Sequence, residues 1–122
     1  MIKKTIKYMD YNGNPREEEF YFHLTQAEIV RMETSIDGGM AERIKRIVAA
    51  QDISAIIMVF EDLIQKSYGV KTPDGRGFTK RKEDLEAFMS TEAYSVLFME
   101  LATNSDAATE FINGIIPANV AK

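Results

Sequence analysis

The residues able to do chemistry are few and scattered. Asp10-x-Asn12-x-Asn14 has the spacing that opens an EF-hand calcium loop, in which alternate side chains supply oxygens to one cation. The pattern then fails. Pro15 stands where a sharp-turning glycine is needed, and Tyr21 where a bidentate glutamate is needed. A plain turn between two strands is the better reading. Gly75-Arg76-Gly77 could suggest a phosphate loop, but Phe78 and Thr79 follow it in place of the Lys-Ser/Thr pair that opens a Walker helix. Those glycines read as turn residues. His23 is the only histidine and there is no cysteine, so the usual zinc ligand set is missing. His23 is expected as a solvated residue in the outer row of a strand. Glu17-Glu18-Glu19 cannot converge on one reacting atom, because consecutive strand residues point to opposite faces. Lys80-Arg81-Lys82 is a short basic run without interleaved aromatics, expected as a solvated face. Neither a catalytic centre nor a cofactor or metal site emerges.

Totals agree with that inventory. A chain of 122 residues is the size of one domain with a modest core. Its net charge of −4 and pI near 5.0 argue against nucleic acid as a partner. No apolar run reaches the length of a membrane span. The N-terminus, MIKKTIKYMDY, has lysines but no apolar segment after them, so it does not read as a secretory signal. A cytosolic protein that does not engage a membrane is expected.

The pattern of elements predicts an α+β fold: one mostly helical domain with an N-terminal β-hairpin over residues 1–24, a helical region over 25–117 and a tail over 118–122. Ile2, Lys4, Ile6 and Tyr8 share one face of the first strand, and Phe20, Phe22 and Leu24 one face of the second. Keeping both apolar rows on the same face requires opposed positions whose numbers sum to an even value. Ile6 is therefore expected opposite Phe20 or Phe22, across a loop of three or five residues. The first of these registers sets Lys7 against Glu19.

Thr25 and Glu28 form a capping box, with Leu24 and Ile29 as its hydrophobic staple. That helix is expected to end at Asp37-Gly38-Gly39, and a second to run over residues 40–50 with Ile44, Ile47 and Val48 on one side. A third carries Ile53, Ile56, Ile57, Phe60, Leu63 and Ile64 on one stripe. Ile56, Phe60 and Leu63 are expected to be almost fully buried, and Gly69 to cap the helix end. Residues 70–78 predict a small exposed turn or hairpin. Helices are expected over 82–89, 91–102 and 105–113, capped by Ser90 or Thr91 and by Ser105, with Pro117 as the stop.

The surplus of apolar surface on the fifth of these helices is the feature most open to a functional reading. Tyr94, Val96, Leu97, Phe98, Met99 and Leu101 surround it nearly completely. Tyr94, Leu97, Phe98 and Leu101 fit one face; Val96 and Met99 point elsewhere. A helix that is apolar all round is buried on several sides, either by its own domain or by another chain. At least one of Val96 and Met99 is expected to be exposed in the isolated chain. Seven methionines suit an adaptable binding surface and also an ordinary core.

The run STEAYSVLFMELAT, with Phe88 before it and Phe111, Gly114 and Pro117 after it, and YGVKTPDGRGF upstream, resembles the small tail assembly chaperones of long-tailed phages and prophages of Gram-positive hosts. The resemblance covers residues 43–117 and is strongest from Tyr68 onward. Its motif positions are Tyr68, Gly69, Val70, Gly75, Phe78, Phe88, the run 91–103, Phe111, Gly114 and Pro117. It implies a non-catalytic protein without cofactors. Its implied partners are the tape measure protein, which it keeps soluble, and the tail tube subunits that polymerise around that ruler. It implies action in the host bacterial cytoplasm, absence from the mature virion, and often a longer frameshifted form. Tyr94, Val96, Phe98, Met99 and Phe111 become candidate contacts for that client or for a second copy. A structural tail or neck subunit, or a small regulator of a host protein, shares many of these features.

Overall fold

The computed structural model describes residues 1–34, 46 and 49–115. The expected helix end at Asp37-Gly38-Gly39, most of the helix over 40–50, the stop at Pro117, the 118–122 tail, and the side chains of Ile53 and Ser105 lie outside the described residues.

The fold is α+β, with more helix than strand. Strands β1 (Ile2–Met9) and β2 (Pro15–Phe22) form the N-terminal hairpin, and α1 (Gln26–Thr34) follows. After α2 (Ile53–Ser67) the chain passes directly into β3 (Tyr68–Lys71) and β4 (Phe78–Thr79). Three helices close the described chain: α3 (Lys82–Met89), α4 (Glu92–Thr103) and α5 (Ser105–Ile115). The strands form one antiparallel sheet in the order β1-β2-β3-β4. The turn expected at 70–78 is thus a hairpin that extends the sheet. Gly75, at φ +75°, makes its turn, and Asp74 accepts from the Arg76 N–H and the Thr72 hydroxyl.

Alternation fixes the parity of the N-terminal hairpin, and the structure obeys it. Ile6, Phe20 and Phe22 share the face toward the helices, and the loop over 10–14 has five residues. The pairing itself differs from expectation by one step of two residues. Ile6 faces Glu18, not Phe20 or Phe22, and Lys7 faces Glu17, not Glu19. The loop decides this. One carboxylate oxygen of Asp10 accepts from the N–H groups of Asn12 and Asn14, both at 2.9 Å, and the other accepts from Arg16 Nε at 2.7 Å. A self-capped five-residue loop sets Met9 against Pro15 and carries the register with it.

Helices α4 and α5 lie over β1, α3 lies on β3, and α2 packs on α4. The core between them is aromatic at its centre. Phe22 meets Tyr68, Phe88 and Phe111 at ring-centroid distances of 5.7, 5.9 and 5.3 Å, and Tyr68 stacks on Phe88 at 4.5 Å. Leu24, Leu63, Ile64, Leu97 and Ile115 complete it.

Several local expectations need correction. Leu63 and Ile64 are buried, in keeping with the expected stripe, but Ile56 and Phe60 are only half-buried, and Val59 points inward. The buried stripe of α2 is rotated because its C-terminal half carries most of the packing. Gly69 is no helix cap. It lies in β3, where a Cβ would sit 2.5 Å from the Phe78 ring and 2.8 Å from the Thr79 carbonyl. The Thr25–Glu28 capping box forms, at 3.2 and 2.9 Å. Thr91 stands at the N-cap of α4 as expected but makes no side-chain cap; the Ser90 and Thr91 hydroxyls donate to the carbonyls of Ala87 and Phe88 in the preceding helix. The cap of α5 comes from Asn104, whose Oδ1 accepts from the Asp106 and Ala107 N–H groups at 3.1 Å.

Candidate functional site

Helix α4 is anchored along one stripe. Ala93, Leu97 and Leu101 are buried, and the small Ala93 lets the helix approach the sheet closely. Tyr94 and Phe98 flank that stripe on one side and are half-buried, with Tyr94 edge-on to Phe88 at 5.7 Å. On the other flank run Glu92, Val96 and Glu100, spaced by one helical turn. Glu100 accepts from Lys4 of β1 at 2.9 Å, and Glu92 accepts from Tyr11 of the hairpin loop at 3.3 Å. Glu92 also pushes the Tyr11 hydroxyl above its ordinary pKa. Val96 lies between these two contacts and is 41% exposed; Met99, its i+3 neighbour, is 55% exposed.

The five candidate residues therefore separate. Val96 and Met99 form an exposed apolar pair on a helix whose opposite side is locked into the core. Tyr94 and Phe98 are reachable at the margin. Phe111 is a correction: it is 1% exposed and T-stacked on Phe22, so it belongs to the core and not to an exposed surface. Sequence reasoning missed Lys4, Glu92 and Glu100, which hold α4 over β1. Their signal was the i, i+4, i+8 spacing of glutamate, valine and glutamate.

Several of the groups first considered for chemistry have structural partners. Both oxygens of Asp10 are occupied within its loop, and the Arg16 guanidinium holds its carboxyl below the usual range. Glu18 accepts a hydrogen bond from Tyr8, which raises the Tyr8 hydroxyl pKa; Glu19 lies 3.5 Å from Lys3 on the opposite face. Lys80, Arg81 and Lys82 are exposed, as expected of a solvated face, but Lys80 is not without partners. Its ammonium donates to the His23 carbonyl and to both oxygens of Glu28, each at 2.8 Å. His23 is not a solvated strand residue. It follows β2, its ring stands edge-on to Phe78, and its buried Nδ1 has no hydrogen-bond partner among the described residues. Burial, then the N-terminal ammonium and Lys80, lower its pKa. Among the described residues, no three acidic or histidine side chains gather as a metal site, and no helix is long and apolar enough to cross a membrane.

No curated protein and no solved structure matches the chain. A family model described as phage tail assembly chaperone matches residues 1–122, so the match takes in the N-terminal hairpin as well as the segment that carries the resemblance. Over its whole length, then, the chain belongs to the phage tail assembly chaperone family.

Proposed function

We propose that this chain is a non-catalytic holdase for the tape measure protein. It binds an amphipathic helical segment of that client through Val96 and Met99, with Tyr94 and Phe98 at the margin, and keeps it soluble while the tail tube polymerises. The supporting observation is the exposed Val96–Met99 pair on a helix fixed from behind by Leu97 and Leu101. Helical clients are recognised through apolar anchors of this kind, set against a rigid face. The protein works in the host bacterial cytoplasm during assembly and leaves before the virion is complete. Self-association through the same face competes with client binding.

The test is co-expression with the tape measure protein, scoring the soluble fraction of the client, with light scattering on the purified chain for self-assembly. A client that remains insoluble beside the well-folded wild-type chain overturns the reading.

A further inference from the structure

Among the described residues, the strand order leaves β1 at an edge of the sheet over its full length, Ile2–Met9. Opposed residues of an antiparallel ladder alternate between pairs that exchange hydrogen bonds and pairs that do not. The Asp10 N–H donates to the Asn14 carbonyl at 2.9 Å, and positions 10 and 14 continue the register that sets Met9 against Pro15. By steps of two, Tyr8, Ile6, Lys4 and Ile2 exchange bonds with β2. Lys3, Thr5, Lys7 and Met9 therefore aim their N–H and C=O groups at the free edge. The other side of β2 agrees, because the His23 N–H donates to Ser67 in the line of β3.

This edge is basic in an acidic protein. β1 carries Lys3, Lys4 and Lys7 and no acidic residue. Lys4 turns inward to Glu100, while Lys3 and Lys7 are exposed on the outer face, where Lys3 lies 3.5 Å from Glu19 and Lys7 stands opposite Glu17 of β2. A second copy pairing antiparallel about Thr5 would set Lys3 against Lys7, so like charges oppose self-pairing. An acidic strand meets no such repulsion. On the inner side, Val96 overhangs β1 between the Glu92–Tyr11 and Glu100–Lys4 contacts, exposed where an added strand would place its inward side chains.

We propose that β1 is an acceptor edge for an extended segment of a partner protein in which acidic and apolar residues alternate. The segment adds as a further strand. Its backbone pairs with Lys3, Thr5 and Lys7, its acids lie beside Lys3 and Lys7, and its apolar side chains reach Val96. Met99 lies outside this contact, while Val96 is shared with the helical client, so the two occupants compete. The proposal goes beyond the holdase reading, since it concerns an extended segment and holds whichever protein carries it.

The test uses the full chain, isotope-labelled for NMR, and two soluble synthetic peptides as long as β1. One alternates glutamate with valine, the other lysine with valine. The acidic peptide is expected to slow solvent exchange of the Lys3, Thr5 and Lys7 amides at least about tenfold and to leave Lys4 and Ile6 unchanged, while the basic peptide does neither. Thr5→Pro removes one outward N–H, a change an edge strand tolerates, and should weaken binding about tenfold. Lys3→Glu with Lys7→Glu, both at exposed side chains, should reverse the preference to the basic peptide and decides the matter if Thr5→Pro does not fold. Equal binding of the two peptides, binding that spares the β1 amides, or an unchanged preference in the double variant overturns the proposal. Solubility of the tape measure protein is scored separately, so the holdase reading can stand where strand addition fails.

Discussion

Gly114 of α5 and Ile2 of β1 approach so closely that no side chain fits between them. A Cβ at Gly114 would lie 2.9 Å from both Cβ and Cδ1 of Ile2. The seam is closed beyond it by the Leu24 N–H, which donates to the Ile115 carbonyl at 2.9 Å. The C-terminal helix and the N-terminal hairpin are therefore one packed unit.

Gly114→Ala should destabilise the protein by roughly 1–3 kcal/mol, the usual cost of overpacking. In an uncrowded helix the same change would gain up to about 1 kcal/mol. Ile2→Ala in the Gly114→Ala background should cost less than it does alone, because it removes the Cγ1 and Cδ1 part of the clash, although the Cβ remains. Denaturant titrations of the two single variants and the double variant check this; strict additivity would show that the contact does not matter.

Phe22→Ala should cost roughly 3–5 kcal/mol, since Phe22 is fully buried among three aromatic rings. Phe60→Ala should cost roughly 1–2 kcal/mol, because Phe60 only borders the core. The order of the two denaturation midpoints is the check.

How far the sequence reveals this fold depends on whether a feature is local. The capping box of α1, the odd loop of the hairpin and the exposure of Val96 and Met99 follow from neighbouring residues and their period. The hairpin register does not, because the side chain of Asp10 closes the loop in a way that strand alternation does not encode. Gly69 and Gly114 have roles set by Phe78 and Ile2, partners far away in sequence. Phe111, a candidate contact in the sequence, is buried because the sheet sets Phe22 against it, and that partner is far away in the chain.

Acid should weaken the fold through Lys80 and its neighbours. Burial raises the Glu28 carboxyl, but the hydrogen bonds from Lys80 and Thr25 outweigh it and leave the pKa below the ordinary 4.5. Its stabilisation is therefore present above that value and is lost as pH falls through the lower folded one. His23, lowered below 6.5 chiefly by burial, has the same sign: its contribution is present above 6.5 and lost as pH falls through its folded pKa. Unfolding midpoints measured from pH 7 to pH 4 should fall steadily. Glu28→Gln should be costly at pH 7 and progressively less so as pH falls below 4.5. An NMR titration should place the His23 midpoint below 6.5.

The most direct measurement is the soluble fraction of the tape measure protein co-expressed with wild type, Val96→Lys or Met99→Lys. Both substituted side chains are exposed, so the variants should fold with unchanged unfolding midpoints. A lysine buried without a partner at a client contact costs several kcal/mol. The account predicts a soluble client with wild type and an insoluble one with either variant. Folded variants that solubilise the client as well as wild type would contradict it.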